Sequence, residues 1–141
     1  MFSHWYQWEN REDYKLCKYP GIYSIDITNK NLLDKKFKFS KDVVYIGMTN
    51  SKGGLCARWQ QFNNSIKGGE GHGPAKRIYS EKGHCKDWTE KLYISAMGIK
   101  RDDSPNKPDY YIRRGWIAFL EQEALAKFHQ KVNKHPKYNK Q

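Results

Sequence analysis

KYPGIYSIDI (residues 18–27) is followed, across a polar excursion, by DVVYIGMT (residues 42–49), and the reading of this pair decides the fold. In the first stretch Ile22, Ser24, Asp26 and Thr28 occupy one set of alternating positions and Tyr23, Ile25 and Ile27 the other. That period of two, with frequent β-branched residues, is a strand. The second stretch is also β-rich, and the intervening TNKNLLDKKFKFSKD (residues 28–42) carries Asn and Asp turn formers, so a hairpin with a long tip is the economical reading. The two strands carry Gly-Ile-Tyr and Tyr-Ile-Gly in mirrored order. In a hairpin, Tyr23 and Tyr45 each stand near a glycine that lets another group approach the backbone, and two phenols can then share one site.

Beyond the hairpin, Gly53 and Gly54 open a segment in which Leu55, Trp59, Phe62 and Ile66 recur at helical spacing, and Gly68 and Gly69 close it. AKRIYSEKG (residues 75–83) predicts a short helix with its own terminal glycine. WTEKLYISAMG (residues 88–98) sets Leu92, Ile94 and Ala96 against Lys91, Tyr93 and Ser95, as a third strand does. After a loop rich in proline and charge, YYIRRGWIAFLEQEALAKFHQ (residues 110–130) is the longest helical stretch, stopped at Pro136 or before. The aromatic, charged residues 1–17 have no clear period and read as a short helix or arm packed on the core. The order is strand, strand, helix, short helix, strand, long helix: an α/β or α+β layered domain with a small, mostly antiparallel sheet covered by helices. Residues 1–141 are expected to form one domain, with 68–86 as an insertion and 134–141 as a tail. Trp59, Trp88 and Trp116 read as core residues.

Composition narrows the function. Lys and Arg number 26 against 15 for Asp and Glu, a formal charge of +11, which points to a polyanionic partner, nucleic acid foremost. No window offers the ~20 apolar residues of a membrane span, and the N-terminal stretch lacks a signal-peptide pattern, so a cytoplasmic location away from membranes is expected. Cys17, Cys56 and Cys85 are odd in number and form no CxxC pair, which argues against a disulfide framework or a zinc finger. There is no Walker A loop, no GxSxG elbow and no HExxH.

Two places remain where chemistry can sit. Arg58 lies one turn inside the first helix, whose start presents N–H groups and a positive dipole end to an anionic oxygen; Arg58 adds a bidentate charge and Lys52 a mobile one. Glu121 and Glu123 stand in an otherwise apolar part of the long helix. A carboxylate there is costly unless paired or metal-bound, and periodicity does not choose between the two.

With these residues in view, the chain resembles the GIY-YIG nucleases. Gly21-Ile22-Tyr23 and Tyr45-Ile46-Gly47 match the two strand motifs that name that family, Leu55-Cys56-Ala57-Arg58 matches its Leu-x-x-Arg, and Phe119-Leu120-Glu121 followed by Ala124-Leu125 matches the helix with its metal-binding glutamate. The match covers roughly residues 18–135. The resemblance implies a three-stranded antiparallel sheet flanked by helices and metal-dependent hydrolysis of a DNA phosphodiester. Glu121 would hold one divalent ion, Mg²⁺ or Mn²⁺; Arg58 would neutralise charge on the scissile phosphate; Tyr23 would position or deprotonate the attacking water with Tyr45 beside it. A phenol with a pKa of about 10 is a poor base near neutrality, so the role calls for a shifted pKa or for help, with His72 and Lys52 as the candidates. Lys52, Arg58, Lys76, Arg77 and Asn133 are expected to contact DNA, with Asn139 as the alternative to Asn133. A restriction-type enzyme cutting both strands with one site per chain would act as a homodimer or nick in succession. The rival is a basic module that binds DNA or RNA and has lost turnover.

Overall fold

The two mirrored stretches pair as antiparallel strands β1 (Gly21–Ile27) and β2 (Val43–Thr49) in a computed structural model of the chain, which describes residues 1–68, 73–100 and 107–140. Register runs from Gly21 opposite Thr49 to Ile25 opposite Tyr45, then slips so that Asp26 meets Val43 and Val44 is left as an extra residue. Tyr23 therefore stands directly across from Gly47. A further strand, β3 (Leu92–Gly98), pairs antiparallel with the other side of β1, so the Gly-Ile-Tyr strand is flanked on both sides.

The sheet has four strands where three were expected. Tyr6–Gln7 add a short two-residue strand to the free side of β3, opposite Ile94 and Tyr93. Two residues are too few to show a period in sequence. What holds them is the pair of tryptophans on either side: Trp5 and Trp8 are 2% and 1% exposed and enter different core clusters. A 3-10 helix over Trp8–Asp13 then leads to the hairpin.

Each sheet face carries its own apolar layer. On one, α1 (Gly54–Ile66) buries Leu55, Trp59, Phe62 and Ile66 with Tyr23, Ile25, Leu92 and Ile94. The same layer takes in Ala75 and Ile78 of α2 (Gly73–Lys82), so this part of the expected insertion is packed into the core. On the other face, α3 (Pro108–Val132) sets Ile117, Leu120, Ala124 and Phe128 against Ile22, Val43 and Ile46. Burial of each such side chain stabilises by roughly 1.5–3 kcal/mol, which is why β1 is buried along nearly its whole length. Proline in the first turn favours the start of α3, and Asn133 at φ 61° ends it in the left-handed conformation. Trp59 and Trp88 are core residues as expected; Trp116 is not, for it precedes the inward stripe by one position and is 52% exposed.

The edge strand β2 is covered by the C-terminal tail. The Tyr138 N–H donates to the Val44 carbonyl at 2.8 Å, and the Asn139 amide pairs with Ile46 in both directions, Oδ1 accepting from its N–H at 2.9 Å and Nδ2 donating to its carbonyl at 2.8 Å. An edge occupied in this way offers little to a foreign strand.

Candidate active site

The mirrored motif puts two phenol rings on one glycine. Tyr23 and Tyr45 have ring centroids 6.0 Å apart, and a Cβ built on Gly47 would lie 2.6 Å from Tyr45 Cε2 and 2.9 Å from both Cζ and Oη of Tyr23. No side chain fits there unless the rings move, so the glycine is a floor for the tyrosine pair. Trp59 from α1 closes the third side, edge-on to Tyr23 at 6.2 Å.

Tyr23 is fully buried, yet among the described residues neither its hydroxyl nor Nε of the half-buried Arg58 makes a hydrogen bond of good geometry, although the Arg58 side chain and Tyr45 both lie close enough to act on the hydroxyl. With Trp59 Nε1, also buried without a well-formed bond, three under-satisfied polar atoms stand together, a costly arrangement in a folded protein and a common one where a ligand completes the bonding. The charges show that these groups form one neighbourhood. Burial raises the Tyr23 pKa well above that of an ordinary phenol; neighbouring Tyr45 and Glu121 push the same way, while Arg58 opposes them. Tyr45 is raised by burial too, with Arg58 and Arg77 acting against the shift and Glu121 adding to it. Glu121 is raised by burial, against Gln122 and Arg58. Tyr23 from β1, Tyr45 from β2, Arg58 from α1 and Glu121 from α3 thus lie within electrostatic reach of one another.

This separates the two glutamates. Glu123 forms an ion pair with Lys127 at 3.4 Å, one turn along α3, and lines a different groove with Phe2 and Phe37. Among the described residues Glu121 accepts a hydrogen bond only from the neighbouring Gln122 amide, at 3.5 Å. Among the described residues no cluster of three or more His, Cys, Asp or Glu forms. A lone half-buried carboxylate, desolvated beyond what Gln122 and Arg58 offset, fits a hard divalent cation that keeps most of its coordination for water and phosphate oxygens.

Other expectations are met differently. The start of α1 does not present free N–H groups: Gly54 donates to the Ser51 carbonyl at 3.0 Å, Leu55 to Tyr19 at 2.9 Å and Cys56 to Cys17 at 2.7 Å. It is a structural joint rather than an anion cradle, and Gly54 makes it possible, at φ +71° with its Cβ position 2.3 Å from the Lys18 carbonyl oxygen. What α1 contributes is the Arg58 side chain, whose Nη1 donates to Gln61 at 3.3 Å.

Lys52 lies exposed in the turn before α1, and Lys76 is exposed on α2. Arg77 is half-buried instead, donating from Nη2 to the Tyr138 carbonyl while its charge acts on Tyr45. Asn133 caps α3, whereas Asn139, the alternative, clamps β2 at Ile46, between Tyr45 and Gly47. His72 falls outside the described residues. Sequence reasoning missed the tie between Arg77, the tail and Tyr45, for which no local pattern gives a signal. Comparison of the chain with protein-family models, with curated proteins and with solved structures finds no match in any of the three.

Proposed function

We propose that the protein is a divalent-metal-dependent endonuclease of the restriction type that hydrolyses DNA phosphodiester bonds, as its resemblance to the GIY-YIG nucleases implies. The observation that carries this reading is the convergence of Tyr23, Tyr45, Arg58 and Glu121 from four elements, with the Tyr23 hydroxyl and Arg58 Nε buried and unpartnered. A protein that only bound a polyanion on its basic surface would have no use for a desolvated carboxylate where a phosphate is to lie. The formal charge of +11 suits a polyanionic substrate.

Each side chain then has a defined task. Glu121 would hold Mg²⁺ or Mn²⁺, which when bound polarises the phosphate and steadies the leaving oxygen. Arg58 donates to the phosphate oxygens as their charge grows, and the unpartnered Nε becomes bonded in that state. Tyr23 is protonated at neutral pH because burial raises its pKa, so its hydroxyl orients the attacking water rather than removing the proton. Tyr45 and the Gly47 floor hold that hydroxyl in place.

The test is incubation of the purified protein with supercoiled plasmid and Mg²⁺ at low salt, beside an EDTA control and Arg58→Ala. Conversion to nicked or linear DNA by the unaltered protein, lost in both controls, is the expected result. Salt-dependent binding without cleavage in Mg²⁺ or Mn²⁺ would give the protein to the non-catalytic alternative.

A further inference from the structure

The long helix presents a second apolar face to solvent. Ile112, Trp116 and Phe119 are 68%, 52% and 51% exposed, and with Pro108 and Gly115 they recur at helical spacing as one uncharged stripe. Tyr111 flanks it at 66% exposure. Trp116 and Phe119 stack on each other, centroids 5.4 Å apart and planes 18° apart, so the stripe is a flat apolar ridge. Taking ~200 Å² for each of these four large side chains, they expose on the order of 500 Å² of mostly apolar surface, somewhat over half of one partner's share of a standard interface. Trp116 also lines a groove of about 710 Å³ whose floor is apolar, with Phe2, Phe37 and Met97, and whose rim carries Lys36, Glu123 and Lys127.

Gly115 lies in the middle of this ridge. A glycine within a helix costs about 1 kcal/mol against alanine, and nothing lies within 4 Å of the position its Cβ would take. Among the described residues no contact calls for the missing side chain. A helix packed across the ridge would.

We infer that α3 is the contact between two copies of this chain, packed antiparallel about a two-fold axis at residues 115 and 116. In that register the ridge is complementary to itself. Trp116 of each copy lies over Gly115 of the other, and Ile112 meets Phe119, so large meets small twice, as an isologous interface requires. Charge and direction favour this occupant over nucleic acid. Arg113 and Arg114 fall off the stripe, and the lysines nearest it, Lys36 and Lys127, line the adjoining groove rather than the ridge, which leaves no cation on the ridge itself for a phosphate backbone. At 100° per residue the stripe faces roughly 170° away from Glu121, so pairing leaves the candidate site of each copy open. The inference does not depend on the catalytic reading.

Sedimentation equilibrium tests it, with the full chain at about 0.1 M and about 0.5 M NaCl and with Gly115→Leu and Trp116→Ala beside it. The unaltered chain is expected to dimerise at micromolar concentration, more tightly at the higher salt, which screens repulsion between two basic copies. Gly115→Leu should weaken the dimer tenfold or more while melting no lower than the unaltered chain at dilutions where both are monomers, because its side chain enters open space in the monomer. A chain that stays monomeric up to about 100 µM overturns the inference, as does a Gly115→Leu dimer of unchanged strength. A monomer in which Trp116→Ala loses affinity for a labelled oligonucleotide would assign the ridge to nucleic acid instead.

Discussion

Removing one oxygen from the centre of the site should make the protein more stable and less active. Tyr23→Phe keeps the ring that packs against Tyr45 and Trp59 and deletes only the hydroxyl, which is fully buried and unpartnered. A buried polar group without a hydrogen bond carries a desolvation penalty of roughly 1–3 kcal/mol, so its removal is expected to stabilise by about 1 kcal/mol. In a domain of this size that raises Tm by about 3–5 °C. If the hydroxyl orients the attacking water, plasmid cleavage should fall by about 10²-fold, the loss typical when a reacting group is misplaced by about an ångström. Thermal unfolding and plasmid nicking on the same preparation read both effects. A variant destabilised by more than about 1 kcal/mol would mean that the hydroxyl has a structural partner. A variant stabilised but fully active would remove Tyr23 from the site.

Three further outcomes follow from single contacts. Gly47→Ala puts a Cβ within 2.6 Å of Tyr45 and 2.9 Å of Tyr23, so a denaturant melt should show a loss of about 1–3 kcal/mol, with cleavage reduced more than tenfold; normal cleavage would show that the tyrosine geometry is immaterial. Asn139→Ala deletes both bonds to Ile46 and should cost about 1–3 kcal/mol and speed hydrogen exchange at the Ile46 amide; unchanged exchange would mean that the tail does not hold the edge strand. Asp26 is 2% exposed, and burial, with Asp42 adding to it, pushes its pKa up to about 7 from an ordinary 3.8. The folded state keeps a proton that the unfolded chain releases, so this contribution is complete below about pH 4 and is lost as pH rises through about 7. Asp26→Asn should therefore gain stability over the unaltered protein as pH rises from 4 to 8, by no more than about 4 kcal/mol; a gain that does not vary with pH would contradict the assignment.

Much of the sheet was legible because its strands keep period two while buried on both faces: Tyr23 and Ile25 enter one layer and Ile22 the other, as the alternation of residues 22–28 predicts. The helices were legible through Leu55, Trp59, Phe62 and Ile66, and through the length of residues 110–130. Long-range features were not. A two-residue strand at Tyr6–Gln7 has no period of its own, and the clamp of Asn139 on Ile46 joins residues 93 positions apart. The start of α1 misled for the same reason, since its N–H groups meet the carbonyls of Cys17 and Tyr19, which no local pattern announces. In the candidate site, four side chains were named from sequence, but periodicity left the choice between Glu121 and Glu123 open. Two positions along a helix point about 160° apart; the resemblance named Glu121, and the structure adds that Glu123 is paired with Lys127 while Glu121 feels the Arg58 charge.

That choice is also where the account is most exposed. Glu121→Gln and Glu123→Gln should be assayed side by side for Mg²⁺-dependent nicking of supercoiled plasmid, with thermal unfolding to establish that both fold. Loss of nicking in Glu121→Gln with near-normal nicking in Glu123→Gln is the predicted result. Cleavage that survives Glu121→Gln and disappears in Glu123→Gln would contradict the site assembled from Tyr23, Tyr45, Arg58 and Glu121.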